Sequence, residues 1–206
     1  MDLGDFEAMD VLSEWFLRRS LLVTRRNGSE RVGSIQDEGC PILLGTVRSS
    51  RFIEPLLNSE EGKHFRYRQH EDLNGFIKIR GAETQERAAT SKFAVREDAG
   101  DEMVVGHGAT LSAVRDRLAL VHRMRIPDAK GTMTMLSCDS TFAIRQVAPA
   151  LTDEEQAANI MKKTGWNERT MPPSFEMLFR VKAAPMNIEH DAGLAELLAW
   201  REYRDS

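Results

Sequence analysis

Apolar residues recur at steps of three and four near the start of the chain: Phe6, Met9, Leu12, Phe16 and Leu17 within residues 5–22. That spacing gathers them on one side of a helix and predicts an amphipathic first element. A second helical stretch over residues 21–26 meets a turn signal at Asn27-Gly28. Pro41 opens a third predicted helix, whose apolar positions Ile42, Leu43, Val47, Phe52, Ile53, Leu56 and Leu57 carry it to about Leu57. Residues 58–73 are polar and aperiodic, as a linker should be.

The texture changes from Gly75. Residues 76–79, 92–96 and 102–105 predict short strands separated by charged turns. The valines and leucines of 114–126 suit either a strand or a helix. Thr and Met alternate over 131–136, a strand pattern, and 141–147 continues in kind. Thr152-Asp-Glu-Glu155 forms a capping box, in which a hydroxyl caps the helix and a glutamate three residues on reaches back. The helix it opens runs over 153–164 and stops at Gly165. Residues 174–181 predict a strand after Pro172-Pro173. Residues 192–203 predict a terminal helix with Leu194, Leu197, Leu198 and Trp200 apolar. No internal repeat or low-complexity tract interrupts the chain.

Composition narrows the class. With 206 residues, 41% hydrophobic and 29% charged, the chain has the length and balance of a folded protein of one large domain or two small ones. No window of eighteen apolar residues exists, so no membrane contact is expected. The acidic start, Met-Asp-Leu-Gly-Asp, is unlike a secretory signal. Cys40 and Cys138 are too few for a disulfide framework and point to a reducing compartment. A net charge of −4 argues against nucleic-acid binding over the whole surface, while leaving room for a local basic stripe.

Such a stripe exists. Arg18, Arg19, Arg25, Arg26 and Arg31 are opposed within their window only by Glu30. Residues seven apart share a helix face, so Arg18 aligns with Arg25 and Arg19 with Arg26. Two such rows in a symmetric dimer could straddle a groove and neutralise phosphates without reading bases. The plainer alternative is a solvated helix face paired with Glu14 or Glu30. Gly106-His107-Gly108 looks like a histidine-phosphatase motif, but His64, His70, His122 and His190 all lack the setting of its nucleophilic partner. No phosphate-binding glycine loop, serine elbow or metal spacing is present. The expectation is a non-enzymatic protein without metal or other cofactor.

Three collinear blocks resemble the non-structural protein of influenza viruses, an RNA-binding interferon antagonist. Arg25-Arg26, Gly33, Gly39, Ile42, Thr46, Glu54 and Leu57 resemble its RNA-binding domain. Residues 111–118 with Arg125 and Gly131 resemble the middle of its effector domain, and His122-Arg123-Met124 with Asp128 resembles the type B branch. The capping-box helix, Gly165-Trp166-Asn167-Glu168-Arg169-Thr170 and residues 174–180 resemble the long helix, its tryptophan turn and the following strand.

The resemblance implies an α+β protein: a three-helix dimerising domain over 1–60, a linker over 61–73, an effector domain over 74–182 and a tail or short helix over 183–206. The effector domain would be a twisted antiparallel sheet around one long helix. Arg26 would face the backbone of double-stranded RNA with Arg25 beside it, flanked by Arg19 and Arg31. Trp166 would be an exposed anchor for self-association or a host protein, its alternative being a core aromatic under the helix end. The expected place of action is host cytoplasm and nucleus. The chain departs from that pattern too: Ser29 replaces a lysine, and Val23, Val32 and Ser34 replace further basic positions. The first 73 residues hold 10 Lys/Arg against 13 Asp/Glu, a net −3, which lowers expected RNA affinity. A protein-interaction domain without RNA binding, matrix-like or effector-like, is the second reading. A phosphohydrolase using His107 is a distant third.

Overall fold

A computed structural model describes residues 3–19, 40–45, 55–56, 59, 62, 65, 67–69, 76–78, 87–88, 94–98, 101–105, 117–126, 131–138, 141–167, 169–181 and 195–203. The helices are α1 (Leu3–Arg18), α2 (Thr141–Thr152) and α3 (Glu154–Thr164). The strands are β1 (Ile42–Gly45), β2 (Tyr67–Gln69), β3 (Phe76–Lys78), β4 (Arg87–Ala88), β5 (Ala94–Asp98) and β6 (Asp101–Val105). They continue with β7 (Arg117–Arg125), β8 (Thr132–Cys138), β9 (Ser174–Val181) and β10 (Ala195–Tyr203).

Six strands form a sheet in the order β1-β8-β7-β9-β10-β4, and four form another in the order β2-β3-β6-β5. β1 runs parallel to β8, with Ile42 beside Thr134, while the other pairs of the larger sheet are antiparallel. The sheet is therefore mixed rather than purely antiparallel. Beyond the last paired residues of β7 and β8, Ile126 N donates to Gly131 O at 3.1 Å.

Successive strand residues point to opposite sides, so the larger sheet has two faces. Ala119, Val121, Leu136, Cys138, Phe175, Met177, Phe179 and Val181 lie in one core with Ala143, Ile144, Val147 and Ala148 of α2 and Ala8 and Leu12 of α1. Met124, Ile126, Met133, Met135 and Tyr203 form a second cluster with Phe65, against which Leu43 and Leu56 pack. Both faces are thus covered, which erases the alternation that marks a half-solvated strand.

Four expectations are corrected. Ile42–Gly45 is a strand, not the start of a helix. Residues 141–152 are a helix, because Ala143, Ile144, Val147, Ala148 and Leu151 fall on one helical side facing the sheet. β10 replaces the predicted terminal helix. Its backbone pairs with β9, and a register irregularity between Leu197 and Ala199 accompanies burial of Leu197 and Leu198 side by side. Finally, α2 rather than α3 makes the more extensive contact with the sheet, touching β1, β7, β8, β9 and β10.

α1 packs on α2, with Glu7 and the Nε of Arg145 2.8 Å apart at the contact. The first helix and β1 therefore share their core with residues 119–203. The second predicted helix, over 21–26, lies outside the described residues.

Candidate functional site

Thr152 and Asp153 together set the end of α2 and the start of α3. The Thr152 hydroxyl donates backwards to the carbonyls of Ala148 at 3.0 Å and Pro149 at 3.3 Å. Asp153 is the cap instead: its backbone is extended, and Oδ1 accepts from Gln156 N at 2.9 Å. Glu154 and Glu155 begin the helix and Lys162 and Lys163 end it, as the helix dipole favours. Gly165 closes it at φ +75°, where its amide reaches Met161 O. The left-handed turn delivers Trp166 to the core.

Trp166 is 6% exposed. Its ring centroid lies 5.0 Å from that of Phe175, and its Nε1 donates to Glu202 Oε1 at 2.6 Å. The exposure expected of an interface anchor is therefore corrected; the core aromatic is what the structure shows. Sealing an indole beneath a helix end while its N–H meets a carboxylate satisfies both halves of the side chain.

Arg19 follows the last turn of α1 and is exposed, with its guanidinium 3.9 Å from the centre of the Trp15 ring. Arg18 is exposed and paired with Glu14 one turn earlier. Both cations sit at the helix C-terminus, where the dipole favours them. Arg25, Arg26, Arg31 and His107 lie outside the described residues.

The most concentrated chemistry among the described residues was not predicted. His122 of β7 lies opposite Glu176 of β9, and Glu176 opposite Arg201 of β10. Their relative exposures are 1%, 0% and 2%. Arg201 Nε sits 3.0 Å from Glu176 Oε1 and 3.0 Å from the Tyr203 hydroxyl. The Arg201 guanidinium carbon stands 4.4 Å from the centre of the Tyr203 ring. His122 Nε2 is 3.6 Å from Glu176 Oε2, an ion-pair distance too long for a hydrogen bond. Phe65 stacks on the imidazole at 4.3 Å and meets Tyr203 edge-on at 5.2 Å. Burial, then the charge of Glu176, push the Tyr203 phenol far above its ordinary range, with Arg201 opposing. Among the described residues this row sets one anion beside one cation in an apolar setting. The clue in the sequence was charge set among apolar residues, Glu176 in SFEMLFRV and Arg201 in AELLAWREY. Only strand pairing makes them neighbours.

A shallow groove of about 260 Å³ lies where α3 crosses the start of β10, lined by Gln156, Asn159, Ile160, Lys163, Ala195, Glu196 and Leu197. Glu196 also pairs with Arg180 across the strands. No cluster of three or more metal-ligating side chains occurs among the described residues, and no described helix is long and apolar enough to cross a membrane. No family model, curated protein or solved structure matches the chain.

Proposed function

We propose that the protein acts by binding rather than by catalysis, engaging double-stranded RNA through its basic N-terminal region and host proteins through its sheet. In this reading it is a viral regulatory protein of the influenza non-structural type that suppresses interferon defence in host cytoplasm and nucleus. The observation that carries it is the basic end of α1: Arg18 and Arg19 stand exposed where the chain enters the segment of Arg25, Arg26 and Arg31. α1 and residues 20–39 would form a helical unit that pairs with a second copy and sets two arginine rows along one duplex. A-form RNA suits such a reader, because its shape and phosphates are accessible while its deep groove hides base edges. Support also comes from α3, the Trp166 turn and β9, which follow one another as the resemblance implies.

The test is a mobility shift with a double-stranded RNA of about 20 base pairs, comparing wild type with Arg25→Ala/Arg26→Ala at two salt concentrations. A shift that weakens with salt and disappears in the variant supports RNA binding. No shift at low salt overturns it. One observation favours the second reading, a protein-interaction domain without RNA: Arg18 is already paired with Glu14, and Arg19 is stacked on Trp15. On that reading the arginine variant leaves partner binding unchanged.

A further inference from the structure

Arg123 of β7 stands opposite Phe175 of β9, on the side of the sheet that carries the α2 core. A guanidinium has N–H donors on every nitrogen, and those of Arg123 are unevenly served. One terminal nitrogen donates to the Thr132 hydroxyl at 3.1 Å, and the other donates to the sulfur of Met171 at 3.3 Å. The buried Nε has no hydrogen-bond partner among the described residues. A thioether is a weak acceptor, so Met171 meets only a small part of what this cation can donate.

Met171 is positioned by the turn that follows Trp166. Its amide donates to Asn167 O at 2.8 Å, and Asn167 Oδ1 accepts from the amides of Arg169 and Thr170 at 2.9 and 3.0 Å. The side chain is half-buried, packed against the edge of the α2 core. The sulfur therefore lies within reach of small solutes and beside a cation with a donor to spare.

We propose that Met171 is a site of oxidation by hydrogen peroxide, with Arg123 as the group that binds the resulting sulfoxide.

In that reaction a sulfur lone pair attacks one peroxide oxygen, the O–O bond breaks and an S–O bond forms. The departing hydroxide takes the proton of the transferred hydroxyl and leaves as water. The sulfur gives up an electron pair and the peroxide accepts it. The product is polar and carries a strong acceptor where the thioether carried a weak one. Methionine keeps rotatable bonds close to its sulfur, so the new oxygen turns to the guanidinium without moving the backbone. The N–H that met sulfur and the Nε–H without a partner then share a charge-assisted acceptor. Oxidation commonly loosens the packing around a methionine. Here it tightens the tie between β7 and the turn that delivers Trp166. Met124, Met133, Met135 and Met177 are no more than 3% exposed, so peroxide reaches their sulfurs only when the core opens.

The experiment treats the intact chain with dilute hydrogen peroxide, locates added oxygen by peptide mass spectrometry and measures urea unfolding before and after. Met171→Leu, treated in the same way, gives the contribution of the other methionines. Arg123→Leu and the double variant repeat the comparison without the guanidinium. Met171 should gain one oxygen before Met124, Met133, Met135 and Met177 do. The part of the change in unfolding constant that depends on Met171 should be about tenfold less favourable without Arg123, the scale of one hydrogen bond from a charged donor. A Met171 that stays reduced until the core methionines oxidise overturns the proposal, as does an equal change with and without Arg123. If Arg123→Leu fails to fold, Arg123→Lys replaces it. Lysine keeps the charge but loses the planar fork, so a smaller difference in the same direction is expected, and no difference overturns the proposal.

Discussion

The indole Nε1 of Trp166 donates to Glu202 Oε1 at 2.6 Å, tying the turn after α3 to the last strand of the sheet. Residues 36 apart in sequence thereby share one bond at the rim of the core. Trp166→Ala should cost about 3–5 kcal/mol, by loss of a buried aromatic. Trp166→Phe should cost about 1–3 kcal/mol, because the ring is largely kept and the hydrogen bond is lost. Urea unfolding measures both. An unchanged midpoint for Trp166→Ala would place the indole outside the core, where an interface role would be restored.

The buried row predicts strong non-additivity. Glu176→Leu alone leaves Arg201 buried without its carboxylate and should cost about 3–5 kcal/mol. Adding Arg201→Met should recover much of that loss, because the uncompensated charge goes with it. A double-mutant cycle in denaturant reads the coupling. Simple addition of the two single costs would mean that the pair is not coupled.

Helix caps separate what the chain suggests from what it does. Asp153→Ala should cost about 0.5–2 kcal/mol, the range for loss of an N-cap. Thr152→Ala should cost less, since its hydroxyl bonds back to Ala148 and Pro149 carbonyls rather than capping α3. Equal or reversed costs in thermal unfolding would return the cap to Thr152. At the other end, nothing lies within 4 Å of a Cβ built on Gly165, so Gly165→Ala meets only left-handed backbone strain. Its expected cost is about 1–2 kcal/mol.

Tyr203 carries an alkaline signature. Burial and Glu176 hold the folded phenol in its protonated form beyond the pH at which an ordinary tyrosine ionises. The unfolded chain then binds fewer protons than the folded one as pH rises through about 10, so stability falls there. The contribution is complete below that range and lost above it. Tyr203→Phe removes this term, so wild type should lose stability between about pH 9 and pH 11 more steeply than the variant. Parallel profiles in denaturant titrations at each pH would contradict the burial.

Local patterns in the sequence delivered those elements whose cause is local. α1 lies where the apolar spacing predicted a helix, although Ala8 and Leu12 enter the core while Phe6 and Leu17 stay exposed. α3 ends at Gly165 as predicted. β3, β5, β6, β8 and β9 fall where short β-rich runs predicted strands. The 42–45, 141–152 and 195–203 segments were misread for one shared reason. Each is short or mixed in its apolar pattern, so its spacing does not by itself distinguish helix from strand. Neighbours decided them: β8 recruited β1, the sheet face recruited α2, and β9 recruited β10.

The site divides along the same line. The arginine run was legible because residues 18–31 are contiguous, and Trp166 because it follows a recognisable helix stop. Whether that tryptophan faced solvent or core was beyond sequence, since Phe175 and Glu202 reach it only through the turn and the β9–β10 pairing. His122, Glu176 and Arg201 are separated by 54 and 25 positions, and no spacing rule joins them. By itself the sequence determined which residues carry charge and where helices start and stop, because those depend on near neighbours. Tertiary structure decided which charges are buried together, because strand register alone sets one residue opposite another.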